Sequence, residues 1–256
     1  MLDDILLITL ICIIAATIIG TFLSGRSKDR CLASFGGFMV TLLEKGGRRV
    51  WGRLDTEASG LELVYSADYL DQDHIETSYI VFKEEFNSIY LLIRFHSELS
   101  EVNKRRRLRE VKRAYHPSPL RLLGRKARNV INTFKDSIFE ILGLVMTKAT
   151  TANPAMASLA SQQKRVTKVQ QDVVGTVGRS YDAVLEKHIG KRVVLEVTTP
   201  DGKVQEHVGI FKDYSSQFLQ VMDVSYPDGE ETRVCDIIVP RAHGFIRHGA
   251  ETTRKK

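Results

Sequence analysis

The chain has 256 residues, 43% of them hydrophobic and 27% charged, with a formal net charge of +6 at pH 7. These fractions belong to a folded globular chain and exclude a disordered or collagen-like one. Three cysteines, Cys12, Cys31 and Cys235, stand far apart with no CxxC pair, which excludes a disulfide framework and suits a reducing compartment.

Ile5 to Leu23 is an uncharged apolar run of 19 residues. As a helix it would span roughly 28 Å, close to the hydrocarbon thickness of a bilayer. Asp3 and Asp4 precede it, and Arg26, Lys28 and Arg30 follow it. An acidic start and a long apolar run fit an uncleaved anchor rather than a signal peptide. The flanking bases predict a single-pass protein of the inner or plasma membrane with its bulk in the cytoplasm. Residues 1–24 are thus expected to be a transmembrane anchor, and 24–34 a short polar linker.

Residues 35–96 read as strands forming a first small β-barrel. Phe38–Leu43 is apolar, Gly46-Gly47 marks a turn, and Arg49–Leu54 follows. Leu61, Leu63 and Tyr65 alternate onto one face. A loop at Ala67–Asp73 precedes strands at Ile75–Phe82 and Ile89–Phe95.

Residues 97–187 read as a helical arm. Its first helix, ending near Tyr115, is dominated by arginine, and His116-Pro117-Ser118-Pro119 interrupts it. A second, amphipathic helix covers Leu120–Met146, and a third covers about Ala155–Lys187. Val166, Val169, Val173, Val177, Tyr181 and Val184 keep three-four spacing on the third and are candidate oligomer contacts.

Residues 188–248 return to strands, a second small barrel, with 249–256 a polar tail. The strands are Arg192–Thr199, Val204–Lys212, Phe218–Val224, Val234–Val239 and Phe245–Arg247. Pro200-Asp201-Gly202 and Pro227-Asp228-Gly229 supply turns.

The two strand regions echo each other. Trp51-Gly52-Arg53-Leu54 aligns with Val208-Gly209-Ile210-Phe211, and Ser59 and Leu61 align with Ser216 and Phe218. Glycine in a strand suits the sharp bend of a small barrel. VTLLEKGGRRVWGRL followed by LELVY resembles the first half of an Sm-like barrel. That resemblance implies two small bent barrels of Sm-like or SH3-like type, an α+β protein overall. The family's RNA-binding Asp would fall at Ala58 and Ser215, and its Asn-bearing turn is missing, which argues against Sm-type RNA binding.

Charge is concentrated in one segment. Lys104, Arg105, Arg106, Arg107, Arg109, Lys112, Arg113, Arg121, Arg125, Lys126 and Arg128 face one acid, Glu110, so the rest of the chain is net acidic. This arm is the candidate surface for anionic lipid or a protein partner. Few aromatic residues interleave it, which argues against nucleic acid.

No catalytic residues, cofactor or metal are assigned. GxSxG and HExxH are absent. Cys235, His243 and His248 could meet a metal but their spacing is not diagnostic of one, and Asp68, Asp71 and Asp73 lack the glycine and glutamate of a calcium loop. The sequence reading is a membrane-anchored cytoplasmic scaffold or adaptor, homo-oligomeric or protein-binding and not an enzyme. The alternative is a subunit of an oligomeric membrane channel or transporter with a β-barrel vestibule.

Overall fold

The computed structural model describes residues 28–71, 73–115 and 181–251. All ten expected strands are present: β1 (Met39–Glu44), β2 (Arg49–Thr56), β3 (Gly60–Asp71), β4 (His74–Phe82), β5 (Ile89–Phe95), β6 (Arg192–Thr198), β7 (Val204–Tyr214), β8 (Phe218–Asp228), β9 (Glu231–Pro240) and β10 (Gly244–Gly249). Among the described residues three α-helices accompany them, α1 (Arg30–Phe35), α2 (Glu101–Tyr115) and α3 (Ala183–His188). Strand β3 runs through most of the stretch expected to be a loop, continuing past an irregularity between Val64 and Tyr69. The expected polar linker is partly α1, whose Cys31, Leu32 and Phe35 are buried.

The architecture corrects the expected fold class. Two separate barrels joined by an arm are not what the strands form. They make one ten-stranded antiparallel sheet in the order β10-β6-β7-β8-β9-β5-β1-β2-β3-β4. The joint is β5 against β9, with Leu92 opposite Ile238 and Phe95 opposite Cys235. The physical reason lies in the cores. Ile238 and Phe218 pack into the core of the first strand set, while Leu91, Ile93 and Phe95 pack into that of the second. Successive residues of a strand point to opposite faces, so β5 serves both cores and neither strand set closes on itself.

The expected span Ile5–Leu23 lies outside the described residues. Among those described, no helix is long and apolar enough to cross a membrane. The N-terminal transmembrane helix, the single-pass description and the inner-membrane location built on it are therefore corrected to a β-sheet body with short helices. The amphipathic helix Leu120–Met146 and most of the valine helix also lie outside the described residues.

Within the sheet the echo has a structural counterpart. Strands β5-β1-β2-β3-β4 and β10-β6-β7-β8-β9 are two units with the same internal order. Each unit is preceded by a six-residue helix whose N-cap is an aspartate. Asp29 accepts from the amides of Cys31 and Leu32, and Asp182 from those of Val184 and Leu185. Gly52 on β2 lies opposite Val40, and Gly209 on β7 lies opposite Val193. Both glycines allow close passage of the next strand. A Cβ would fall 2.8 Å from the Val64 carbonyl oxygen at Gly52, and 2.5 Å from that of Met222 at Gly209.

Candidate interaction site: the internal seam and the open edges

Among the described residues, the joint between units carries the main buried electrostatic cluster. Arg94 of β5 and Asp236 of β9 are opposite one another and both fully buried. Arg94 donates to Asp236 Oδ2 at 2.8 and 3.1 Å. Arg107 of α2 donates to the same carboxylate at 2.7 and 2.8 Å, and also to Asp223 at 2.5 Å. His96 Nε2 lies 3.0 Å from Asp236 Oδ1, and the backbone N–H of Asp223 donates to that oxygen at 3.1 Å. Asp223 stands at φ 55° in the bulge of β8, which turns its amide toward Asp236. Burial alone would raise the Asp236 pKa. Hydrogen bonds from Arg107 and His96, with the charges of Arg94 and Arg107, hold it far below the ordinary carboxylate range.

His96, Asp223 and Asp236 present ligand-type atoms within 4.8 Å of one another, the one such grouping among the described residues. Their carboxylates are already taken by two guanidinium groups, whose charge opposes a cation. The cluster is a lock rather than a metal centre. Cys235, His243 and His248 are not brought together as a ligand set among the described residues.

This lock changes the reading of the basic arm. Its first part is helix α2, laid on the sheet rather than held away from it. Arg107 is buried in the lock. Arg106 donates to the Gly36 carbonyl at 3.0 Å, with its guanidinium 4.6 Å from the Phe38 ring centre. Glu110, the segment's lone acid, accepts from Lys212 at 3.0 Å. Burial lowers the Lys212 pKa against the opposing pull of Glu110. Lys104 pairs with Glu101, while Arg105, Arg109 and Lys112 face solvent and Arg113 lies further along α2. Arg121, Arg125, Lys126 and Arg128 lie outside the described residues, as do Val166, Val169, Val173 and Val177. Tyr181 is half-buried just before α3, and Val184 is exposed on α3.

Among the described residues, the sheet ends at two edges that no further strand pairs, β4 and β10. On β4, Ile80 and Phe82 are 53% and 55% exposed; on β10, Phe245 is 43% exposed. An unpaired edge offers a row of backbone donors and acceptors, and charged residues usually guard it. Beside β4 lies an open groove lined by Arg48, Trp51, Tyr65, Tyr69 and Tyr79. Two of its polar groups are bonded to carboxylates beside it. Tyr79 donates to Glu44 at 2.9 Å and Trp51 Nε1 to Glu98 at 2.9 Å.

Sequence reasoning missed both the lock and the edges. The signal for the lock is present in hindsight. Arg94 is the lone charge in the strand IYLLIRF, and Asp236 the lone charge in VCDIIV. Opposite single charges inside two apolar strands imply that the strands are neighbours. Set against known proteins, the chain matches no family model, no curated protein and no solved structure.

Proposed function

We propose that this chain is a protein-interaction scaffold that works through the two open edges of its sheet by strand addition. One observation carries the reading: the ten-stranded sheet stops at β4 and β10 with large apolar side chains standing in solvent at both ends. Strand addition takes affinity from main-chain hydrogen bonds and specificity from alternate side chains, and each edge offers both. The buried titratable cluster supports the same reading. Its groups are consumed in holding α2, β5, β8 and β9 together, so the body between the edges is held rigid.

The test is a photo-crosslinking amino acid placed singly at positions 80 and 245 of the full-length chain in its native cells. Positions 102 and 204, exposed on α2 and on an interior strand, serve as controls. Discrete protein adducts at 80 and 245, and not at the controls, are expected. Edge positions that yield no more adduct than the controls overturn the proposal.

A further inference from the structure

We propose that the outward face of helix α2 is a binding surface for anionic lipid, a second contact of the molecule that does not use the strand edges.

At about 100° per residue, α2 divides into two arcs. Asn103, Arg106, Arg107, Glu110 and Val111 fall on the inner arc, and none of them is exposed. Arg106 holds the Gly36 carbonyl, Arg107 the Asp236 and Asp223 carboxylates, and Glu110 the Lys212 ammonium. With Arg107 anchored in the lock, the helix is kept from rolling. The outer arc carries Glu101, Val102, Lys104, Arg105, Leu108, Arg109 and Lys112, all exposed.

The outer arc sets four bases against one acid, and Lys104 is paired with that acid, Glu101. Arg105, Arg109 and Lys112 meet no carboxylate among the described residues, and Arg109 reaches only the Arg105 carbonyl one turn back. Among these bases stand Val102, 74% exposed, and Leu108, 61% exposed.

Bare aliphatic groups among bases match the boundary of a bilayer. There the aliphatic groups enter the acyl region, while Lys and Arg stems lie along it and their heads reach lipid phosphates. No aromatic residue stands between positions 101 and 112, so the face gives nucleobases no stacking platform. A polynucleotide would meet the bases alone and leave Val102 and Leu108 uncovered. Each base beside an anionic leaflet favours the bound state about fivefold, so three unpaired ones supply about a hundredfold. Contact of that strength is reversible and weakens with salt.

The test uses the full-length chain reconstituted into phosphatidylcholine vesicles with and without phosphatidylserine. The apolar run Ile5–Leu23 is present in both preparations, so their difference reads lipid charge. Leu108→Cys, combined with Cys12→Ser, carries a polarity-sensitive fluorophore; Cys31 and Cys235 are buried. Val204→Cys, exposed on β7, is the control site. A blue shift at 108 in the vesicles containing phosphatidylserine alone, reversed by salt, is expected. Arg105→Gln with Arg109→Gln is expected to lower the ratio of shifted to unshifted label about 25-fold, with the parent's circular dichroism spectrum retained. Equal emission at 108 in the two lipids, a shift that survives the double substitution, or an equal shift at 204 overturns the proposal. So does a label that answers to single-stranded RNA and not to the anionic vesicles, the sign of a polynucleotide surface. None of these outcomes bears on adduct formation at positions 80 and 245, which tests the edges separately.

Discussion

The seam between β5 and β9 and the open edges of β4 and β10 are made from corresponding strands, and they differ in two respects. At the seam every apolar residue from Leu91 to Phe95 is buried, and β9 from Cys235 to Pro240 is buried as well. At the edges Ile80, Phe82 and Phe245 remain in solvent. The seam also holds Asp236 between Arg94 and Arg107, while the edges hold Ser78 and Gly249 in the corresponding places of the strand ladders. Strand pairing and apolar contact are common to both designs. The ion lock, and the helix that reaches over it, belong to the permanent joint alone.

The largest effect is expected from breaking that lock. Asp236→Ala removes the carboxylate that two buried guanidinium groups share, leaving Arg107 with Asp223 and Arg94 with Glu110 at 3.5 Å, and removing one partner of a buried pair costs about 3–5 kcal/mol. Urea unfolding monitored by circular dichroism reads this as a lowered midpoint. The lock has a pH signature whose sign follows from Asp236. Its folded pKa lies below the ordinary 3.8, so its stabilisation is fully present above about pH 3.8 and is lost as pH falls toward the folded value. The gap in stability between wild type and Asp236→Ala is expected to be constant from pH 7 to pH 5 and to narrow below pH 3.8. A gap that stays constant into that acid range would show that the carboxylate charge is not what the variant removes.

How much of this was legible in the chain follows from the range of each interaction. Strands such as Ile89–Phe95 and turns such as Pro200-Asp201-Gly202 are local. They declare themselves through apolar runs and through residues that set φ, and Gly202 does stand at φ 81°. The Gly52 and Gly209 echo marked a real repeat of strand order. Which strand sits beside which is not local. The pairing of β5 with β9 joins residues separated by the whole helical arm, and no periodicity within either strand reports it. Reading each strand set as a barrel closed on itself was the natural local solution. It failed because both outer strands of the seam spend their alternate side chains on each other's core. The basic arm misled for a related reason: arginine density along a helix does not reveal that Arg107 faces a buried carboxylate more than a hundred residues away.

The two glycines sharpen the comparison between units and carry the next largest effect. At Gly209 an added Cβ meets the Met222 carbonyl at 2.5 Å and the Val221 and Val224 methyls at 2.7 and 2.8 Å. At Gly52 the closest contact is 2.8 Å, and the others, all backbone, are 3.2 Å. Overpacking of this kind costs about 1–3 kcal/mol, so Gly209→Ala is expected to lower the thermal midpoint more than Gly52→Ala. The second unit, clamped against β5 on one side and crowded at its bend, has less room to relax. Equal losses would mean that the bends are equally tight and that the seam does not stiffen its neighbour.

The smallest effect on stability is expected at the edges, and that is what makes it informative. Phe245→Ala removes a side chain that is 43% exposed in the single chain, and surface substitutions of this sort stay within about 0.5 kcal/mol. In dilute protein the unfolding midpoint should hardly move. Capture of a partner strand is expected to fall much further than stability. With a photo-crosslinking amino acid at position 82 on β4 or 247 on β10, both exposed, Ile80→Ala should reduce the adduct at 82 and Phe245→Ala the adduct at 247, because alternate side chains give an added strand its specificity. Adduct yields that survive both substitutions would place the interaction elsewhere on the molecule and leave the likeness between seam and edges without consequence.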